Sequence, residues 1–300
     1  MALRIAVTGS KGQVATALAE RAGPDVTIVA LARPAFALEN RQSVLDGVAA
    51  AKPDVVINAA AYTAVDKAES EEDLAMRVNG DGAGHVAEAA ARAGAPLLHL
   101  STDYVFEGTL DRPYREDDPT GPTGAYGRSK LLGEQRVAGS GADAVILRTA
   151  WVYSPFGANF VRTMLRLGET RDEVGVVADQ RGNPTSALAI ADAVLAIAAR
   201  LRADPSAKLR GLFHMTSPGE ATWADLAEAV FANAQARGRK PVLVRRIATA
   251  DYPTPARRPA NSRLDSGRLA REYGLVLPDW RASLAEVCAR LIPEKEAHDA

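Results

Sequence analysis

A strand that ends in a glycine turn constrains this chain more than any other feature. Residues 3–8 read LRIAVT, an apolar run too short for a helix. It leads at once into TGSKGQVATALAE, where Gly9, Gly12 and Ala15 fall at three-residue intervals. A small residue suits each place for a different reason. Gly9 lets the chain turn sharply off the strand, Gly12 leaves room for a pyrophosphate beside the backbone, and Ala15 lets the helix lie close to the sheet. The start of that helix offers free N–H groups and the positive end of a dipole, both suited to phosphate. The alternative is a tight βα turn with no ligand.

The rest of the first half repeats the unit. Residues 27–31, 55–58, 97–101 and 144–147 read as further short strands rich in Val, Ile and Leu, with helical segments near 13–22, 41–51, 66–93 and 125–138 between them. Continuous apolar strands separated by helices predict an α/β fold, a Rossmann-like doubly wound parallel sheet covered on both faces. After about residue 150 the regularity breaks. Gly and Pro are frequent over 154–186, and helical patterns return at 187–203, 222–237 and 282–292. YPTPARRPANSR (252–263) has too few apolar residues for a core element. The expected organisation is a nucleotide-binding domain over 1–150, to which some later segments return, and a smaller discontinuous substrate lobe over 151–300. The charged tail after Pro293 is expected to fray.

Bulk properties narrow the partners. A net charge of −1 gives no electrostatic reason to expect nucleic acid or an anionic membrane. No apolar run is long enough to span a bilayer, and the N-terminus lacks the pattern of a signal peptide. The lone Cys288 cannot form an internal disulfide, and His85, His99, His214 and His298 show no metal-ligand spacing. The expectation is a cytoplasmic protein without structural metal.

The end of strand two points to the cofactor. NAD sites place an acidic residue there for the ribose 2′-OH, whereas an arginine accommodates the 2′-phosphate of NADP. Here the strand ends Ala30-Leu31-Ala32-Arg33. Arg33 favours NADPH over NADH, unless it is simply a solvated arginine, and Glu39 is the nearest acid for the ribose. After strand three, the small residues of NAAAYT (58–63) leave room for a dinucleotide across the strand's carboxyl end.

Two segments carry the chemistry: STDYVF (101–106) at the end of strand four, and YGRSK (126–130) near the start of a helix. Tyr126 and Lys130 are four apart and share a helix face. A cation held close to a phenol favours the phenolate and lowers a pKa of about 10, which suits Tyr126 to general acid–base work. Thr102 can hydrogen-bond a carbonyl oxygen or the phenol. Taken alone, such a pair is most often an exposed helix contact; the glycine turn and Thr102 at matching places give it weight. No G-x-S-x-G elbow supports a hydrolase.

TGxxGxxA, NAAAYTAVDKAE, STDYVF, YGRSK, RTAWVY, DQRGNPT and RPANSRLD occur in order over nearly the whole chain. Together they resemble the extended short-chain dehydrogenase/reductases and, more narrowly, the dTDP-4-dehydrorhamnose reductases. The resemblance implies reduction of a 4-keto dTDP-sugar, the last step of dTDP-L-rhamnose synthesis. It implies that Tyr126 gives the proton to the C4 oxygen, Lys130 orients the cofactor ribose and tunes Tyr126, and Thr102 assists at the substrate oxygen. Asp103, Tyr104 and Trp151 would line the sugar site. Lys11, Gly12, Gln13, Val14, Asn40, Ala60, Ala61, Tyr62, Thr63 and Leu100 would join Gly9, Arg33 and Glu39 around the cofactor. Some members dimerise through magnesium held by glutamates; the corresponding places here are Ala17 and Leu188, which cannot ligate it. No magnesium-bridged dimer is expected, and the oligomeric state stays open. Rival expectations are a reductase or epimerase of another 4-keto nucleotide sugar, and a non-catalytic NADP-binding regulatory subunit. Arg33 weighs against the epimerase, and intact Thr102, Tyr126 and Lys130 weigh against the regulatory subunit.

Overall fold

The structure, a computed structural model, describes residues 2–293; the tail that sequence reasoning expects to fray lies outside them. The first half runs β1 (Leu3–Thr8), α1 (Gln13–Arg21), β2 (Val26–Leu31), α2 (Arg41–Ala51), β3 (Val55–Asn58), α3 (Val65–Ala68), α4 (Glu72–Ala75), a π-helical segment Met76–Asp81, α5 (Gly82–Ala93), β4 (Leu97–Thr102), a 3-10 turn Asp103–Val105, α6 (Ala125–Ala138) and β5 (Ala144–Thr149). The second half adds β6 (Val152–Tyr153), α7 (Phe160–Thr170), β7 (Glu173–Val177), β8 (Arg181–Gly182), β9 (Thr185–Ser186), α8 (Ala187–Ala203), β10 (Gly211–His214), β11 (Ala221–Thr222), α9 (Trp223–Ala236), β12 (Leu243–Ile247), α10 (Gly267–Tyr273) and α11 (Trp280–Leu291).

Six strands form one parallel sheet in the order β10-β5-β4-β3-β1-β2. The order reverses between β1 and β3, and in such sheets ligands bind beyond the carboxyl ends at the reversal. Strand alternation sorts the core into two layers. Ile5, Val7, Ile57, Leu98 and Leu147 pack with α1 and α8 on one face. Ala6, Val56, Leu97 and Ile146 pack with α2 and α5 on the other. Ala17 and Leu188 are buried in the first layer, where α1 lies on α8.

Three readings of the sequence need correction. The helix expected over 66–93 is broken by a loop at Glu69–Glu71 and by the π-helical segment. The cause is close packing on α6: a Cβ at Gly80 would meet Leu132 Cδ2 at 2.5 Å, and one at Gly133 would meet the Asn79 carbonyl oxygen at 2.3 Å. The 154–186 stretch, read only as irregular, holds α7 and β7, and β7 pairs with β12 in a separate two-stranded ribbon. The segment 252–263 is not peripheral either: Ala256, Pro259, Asn261, Ser262 and Arg263 are buried. No helix among the described residues is long and apolar enough to cross a membrane.

Candidate active site

At the nucleotide end, Gly9 turns off β1 with φ +88° and its N–H donates to the Leu31 carbonyl at 2.7 Å. Gly12 caps α1 with no side-chain hydrogen bond, and the first turn contains no acid. A Cβ built on Gly12 meets nothing within 4 Å, so the space beside it is open. An uncapped helix start under an open glycine fits the pyrophosphate of a dinucleotide. Lys11 is exposed beside it, and Val14 packs half-buried on the core. Gln13 instead ties the turn to the residue after β6: Ser154 Oγ donates to its Oε1 at 2.7 Å.

Past β2, the exposed Arg33 pairs with Glu39. The two residues expected at the ribose and its phosphate are therefore each other's partners here. Asn40 is committed locally, since its Oδ1 accepts from Ser43 N at 3.1 Å as the N-cap of α2. A buried line joins the carboxyl ends of three strands. Thr8 Oγ1 donates to Asn58 Oδ1 at 2.7 Å and accepts from Ala60 N at 3.0 Å, and Asn58 Nδ2 meets His99 Nδ1 at 3.0 Å. With Nδ1 accepting, the proton of His99 sits on Nε2, which is buried without a partner. Burial, aided by the charge of Lys130, holds His99 well below its usual pKa and hence neutral. The line fixes the small residues Ala59 to Ala61 across the top of β3.

The residues expected to carry the proton chemistry sit at the next strand ends. Thr102 closes β4, donates from Oγ1 to Asp103 Oδ1 at 2.9 Å and accepts from Tyr104 N at 3.2 Å. Asp103 is buried, its Oδ2 has no partner, and burial pushes its pKa up to about 6. Tyr126 lies in the first turn of α6, its ring edge-on to Tyr104 with centroids 5.5 Å apart. Lys130 is buried and donates from Nζ to the Leu100 carbonyl at 2.7 Å.

The electrostatics differ from the expectation of a phenol acidified by its lysine. Burial pushes the Tyr126 phenol above its ordinary value; the adjacent Thr102 hydroxyl lowers it, and Asp103 and Tyr104 raise it further. Burial also depresses Lys130 to about 8, opposed by the negative charge of Glu134. Spacing on a helix says nothing of desolvation, and here desolvation is the larger effect. The consequence is a phenol that keeps its proton, the form needed in a donor.

Several groups that hold this arrangement have no local signature in sequence. Asn79, on the π-helical segment, accepts from Tyr62 N at 2.7 Å and donates to Tyr62 O and to Ser129 Oγ at 3.0 and 2.9 Å. Ser129 Oγ in turn donates to Tyr126 O at 2.7 Å, which links the 58–63 loop to α6. Single π-turns within helices often accompany functional sites. Tyr62 itself packs beside Tyr126 and donates to Glu71 Oε2 at 2.8 Å, while Thr63 is exposed. Gly127 is required by contact: a Cβ there would lie 2.2 Å from the Tyr104 carbonyl oxygen. One turn beyond Lys130, Glu134 accepts from Ser101 Oγ at 2.5 Å and from Arg148 Nε and Nη2 at 2.8 and 2.6 Å. Ser101 stands between Leu100, which holds Lys130, and Thr102.

Trp151 follows β5 with φ +48°, a left-handed conformation that costs a bulky side chain about 1–3 kcal/mol. Its indole stacks on Trp223 with centroids 3.6 Å apart and planes 5° from parallel, and its Nε1 donates to Ser262 Oγ at 3.1 Å. Ser262 belongs to the 252–263 segment, which crosses the site as a strap. Arg258 Nη2 bonds Asp66 Oδ2 at 2.9 Å, and Asn261 Nδ2 bonds the carbonyls of Leu110 and Arg112 at 2.7 and 2.8 Å. The strap is polar because backbone carbonyls and carboxylates, rather than an apolar face, hold it down. Among the described residues no cluster of three or more His, Cys, Asp or Glu is placed to hold a metal.

The RmlD substrate binding domain family matches residues 3–292. A dTDP-4-dehydrorhamnose reductase of Sinorhizobium fredii is 52% identical over 296 residues, covering 98% of this chain and 100% of that one. Its counterpart in Burkholderia thailandensis is 48% identical, covering 96% and 98%. The crystal structure of dTDP-4-dehydrorhamnose reductase from Bacillus anthracis in complex with NADP superposes with a TM-score of 0.88 at 34% identity, over 96% of this chain and 99% of that one.

Proposed function

Since the chain belongs to the RmlD family of dTDP-4-dehydrorhamnose reductases, we propose that it reduces the C4 ketone of dTDP-4-dehydro-β-L-rhamnose to dTDP-β-L-rhamnose at the expense of NADPH. The observation that carries the reading is Tyr126, half-buried beside Thr102 at the carboxyl ends of a sheet whose first turn is open to a dinucleotide, with its phenol pushed above its ordinary pKa. When bound, NADPH supplies the hydride.

The chain's own groups supply the rest. Gly9, Gly12 and the N–H groups of Gln13 and Val14 hold the pyrophosphate. Arg33 turns from Glu39 to the 2′-phosphate, and Glu39 is left to the ribose. Ala60, Ala61, Tyr62 and Leu100 form the floor of the cofactor site, and Lys130 holds the nicotinamide-side ribose. Thr102 hydrogen-bonds the C4 oxygen, Tyr126 gives that oxygen its proton, and solvent restores the phenol. Asp103 offers its free Oδ2 to a sugar hydroxyl. Residues 1–150 carry mainly the cofactor and those after 150 mainly the sugar. A reductase drawing on NADPH, with a single buried thiol at Cys288, suits the cytoplasm.

The test is NADPH oxidation followed at saturating cofactor with a panel of 4-keto dTDP- and GDP-sugars. The highest kcat/KM is expected for dTDP-4-dehydro-β-L-rhamnose. Turnover confined to another sugar of the panel would overturn the substrate, and no turnover with any of them would overturn the activity.

A further inference from the structure

Three sequence motifs that look unrelated meet around one side chain. Trp151 comes from RTAWVY, Gln180 and Gly182 from DQRGNPT, and Ser262 from PANSR. Trp223 completes the set, at the first position of α9 behind a capping box formed by Thr222 and Asp225. It lies flat on Trp151 at 3.6 Å, and its own Nε1 donates to Gln180 Oε1 at 3.1 Å. Gln180 is anchored in turn, its Nε2 donating to Thr249 Oγ1 at 3.0 Å. Phe160 of α7 leans on Trp223 from 4.7 Å. Gly182 closes the remaining space: a Cβ there would stand 2.3 Å from Cε2 and 2.5 Å from Nε1 of Trp151, so the indole occupies the room that a side chain would take. The antiparallel pairing of β8 with β11 sets Gly182 opposite Ala221, two residues before Trp223.

This enclosure has a reason. An isolated tryptophan with φ +48° would relax to extended backbone and swing its indole away. Here the ring is fixed by a stacked partner, by a hydrogen bond from Nε1 and by contact with a bare backbone. We propose that Trp223 is a positioning residue of the reductase. With Gly182 and Ser262 it clamps Trp151 in the orientation that receives the sugar, and it acts on the substrate only through Trp151. The proposal rests on the reading of Trp151 as part of the sugar site, and the experiment separates the two.

Trp223→Leu, Trp151→Leu and the double variant are compared by steady-state kinetics with dTDP-4-dehydro-β-L-rhamnose and NADPH. Loss of one aromatic stack is expected to raise the sugar KM about tenfold in Trp223→Leu, with the NADPH KM moving less than about twofold. Trp223→Leu should add nothing in the Trp151→Leu background. An equal added effect there would overturn action through Trp151. A wild-type sugar KM in Trp151→Leu would instead remove Trp151 from the sugar site, and the clamp with it. Two further variants guard against mere loss of structure. Trp223→Phe keeps a stacking ring, so it should retain the wild-type sugar KM while losing the exciton couplet of stacked indoles in far-ultraviolet circular dichroism. Gly182→Ala should disturb that couplet and raise the sugar KM. A wild-type KM in Gly182→Ala despite a changed couplet would show that the orientation of Trp151 does not matter.

Discussion

Arg33 and Glu39 meet at the tip of β2 with two-thirds of the arginine side chain in water, whereas Arg148 and Glu134 meet one turn beyond Lys130, beside Ser101, with 3% and 7% of their side chains exposed. Both are arginine–carboxylate pairs, and they suit opposite tasks. The exposed pair is screened, contributes about 0–1 kcal/mol, and can exchange its partner for a phosphate each time a cofactor enters or leaves. The buried pair has paid its desolvation on folding; removal of either member strands a charge at a cost of about 3–5 kcal/mol. On the proposed function, the pair at the tip of β2 is the one that would be rearranged at every turnover. The other holds a buried carboxylate one turn from Lys130, whose cationic form that carboxylate favours.

Tyr126→Phe should lower kcat by about 10²–10⁴-fold, because it removes the proton donor but not the cofactor end. NADPH binding, followed by fluorescence titration, should stay close to wild type. A variant that retained wild-type kcat would take Tyr126 out of the chemistry.

Glu134→Gln and Arg33→Ala put the two pairs side by side in urea denaturation. The first should lose about 3–5 kcal/mol and the second less than about 1 kcal/mol. Equal losses would erase the distinction between the ends. In kinetics the order should reverse for the cofactor: Arg33→Ala is expected to raise the NADPH KM about tenfold through loss of one charge-assisted phosphate contact, and to leave the NADH KM almost unchanged. Parallel changes for both cofactors would show that Arg33 does not read the 2′-phosphate.

The smallest effect is one of pH. Lys130, depressed by burial to about 8, is cationic below that value and neutral above it. If its charge serves the reaction, kcat/KM should fall about fourfold between pH 7 and 8.5, and the alkaline limb should move to lower pH in Glu134→Gln, which withdraws the anion that sustains the cation. A limb that stayed in place would detach Glu134 from Lys130.

Much of the frame was legible in sequence because it is periodic. The expected limits of α2, α6, α8 and β3 coincide with those observed, and each element has a repeating apolar face or a continuous apolar run bounded by Gly, Pro or polar residues. The four-residue edge strand β10 offered no such pattern. Tyr126, Lys130 and Thr102 were legible through spacing and strand ends, and the structure brings them to one place. Asn79, Glu134 and Arg148 were not, because their meaning lies in partners up to 50 residues away. The strap was discounted for lack of apolar residues, although hydrogen bonds rather than apolar burial secure it. The phenol's acidity was misjudged for a related reason: the spacing of a pair is written in the sequence, but its dielectric is set by the fold.

The π-helical segment at Met76–Asp81 has a consequence for how this chain can change length. An α-helix advances about 100° per residue, so deletion of one residue there would restore ordinary pitch and rotate the preceding side chains by about that angle relative to those that follow. The amide of Asn79 could not then face both Tyr62 and Ser129. In this stretch the number of residues matters as much as their identity: the segment is a phase setting, and a shift of one step would uncouple the 58–63 loop from α6 with Thr102, Tyr126 and Lys130 all still present in the sequence.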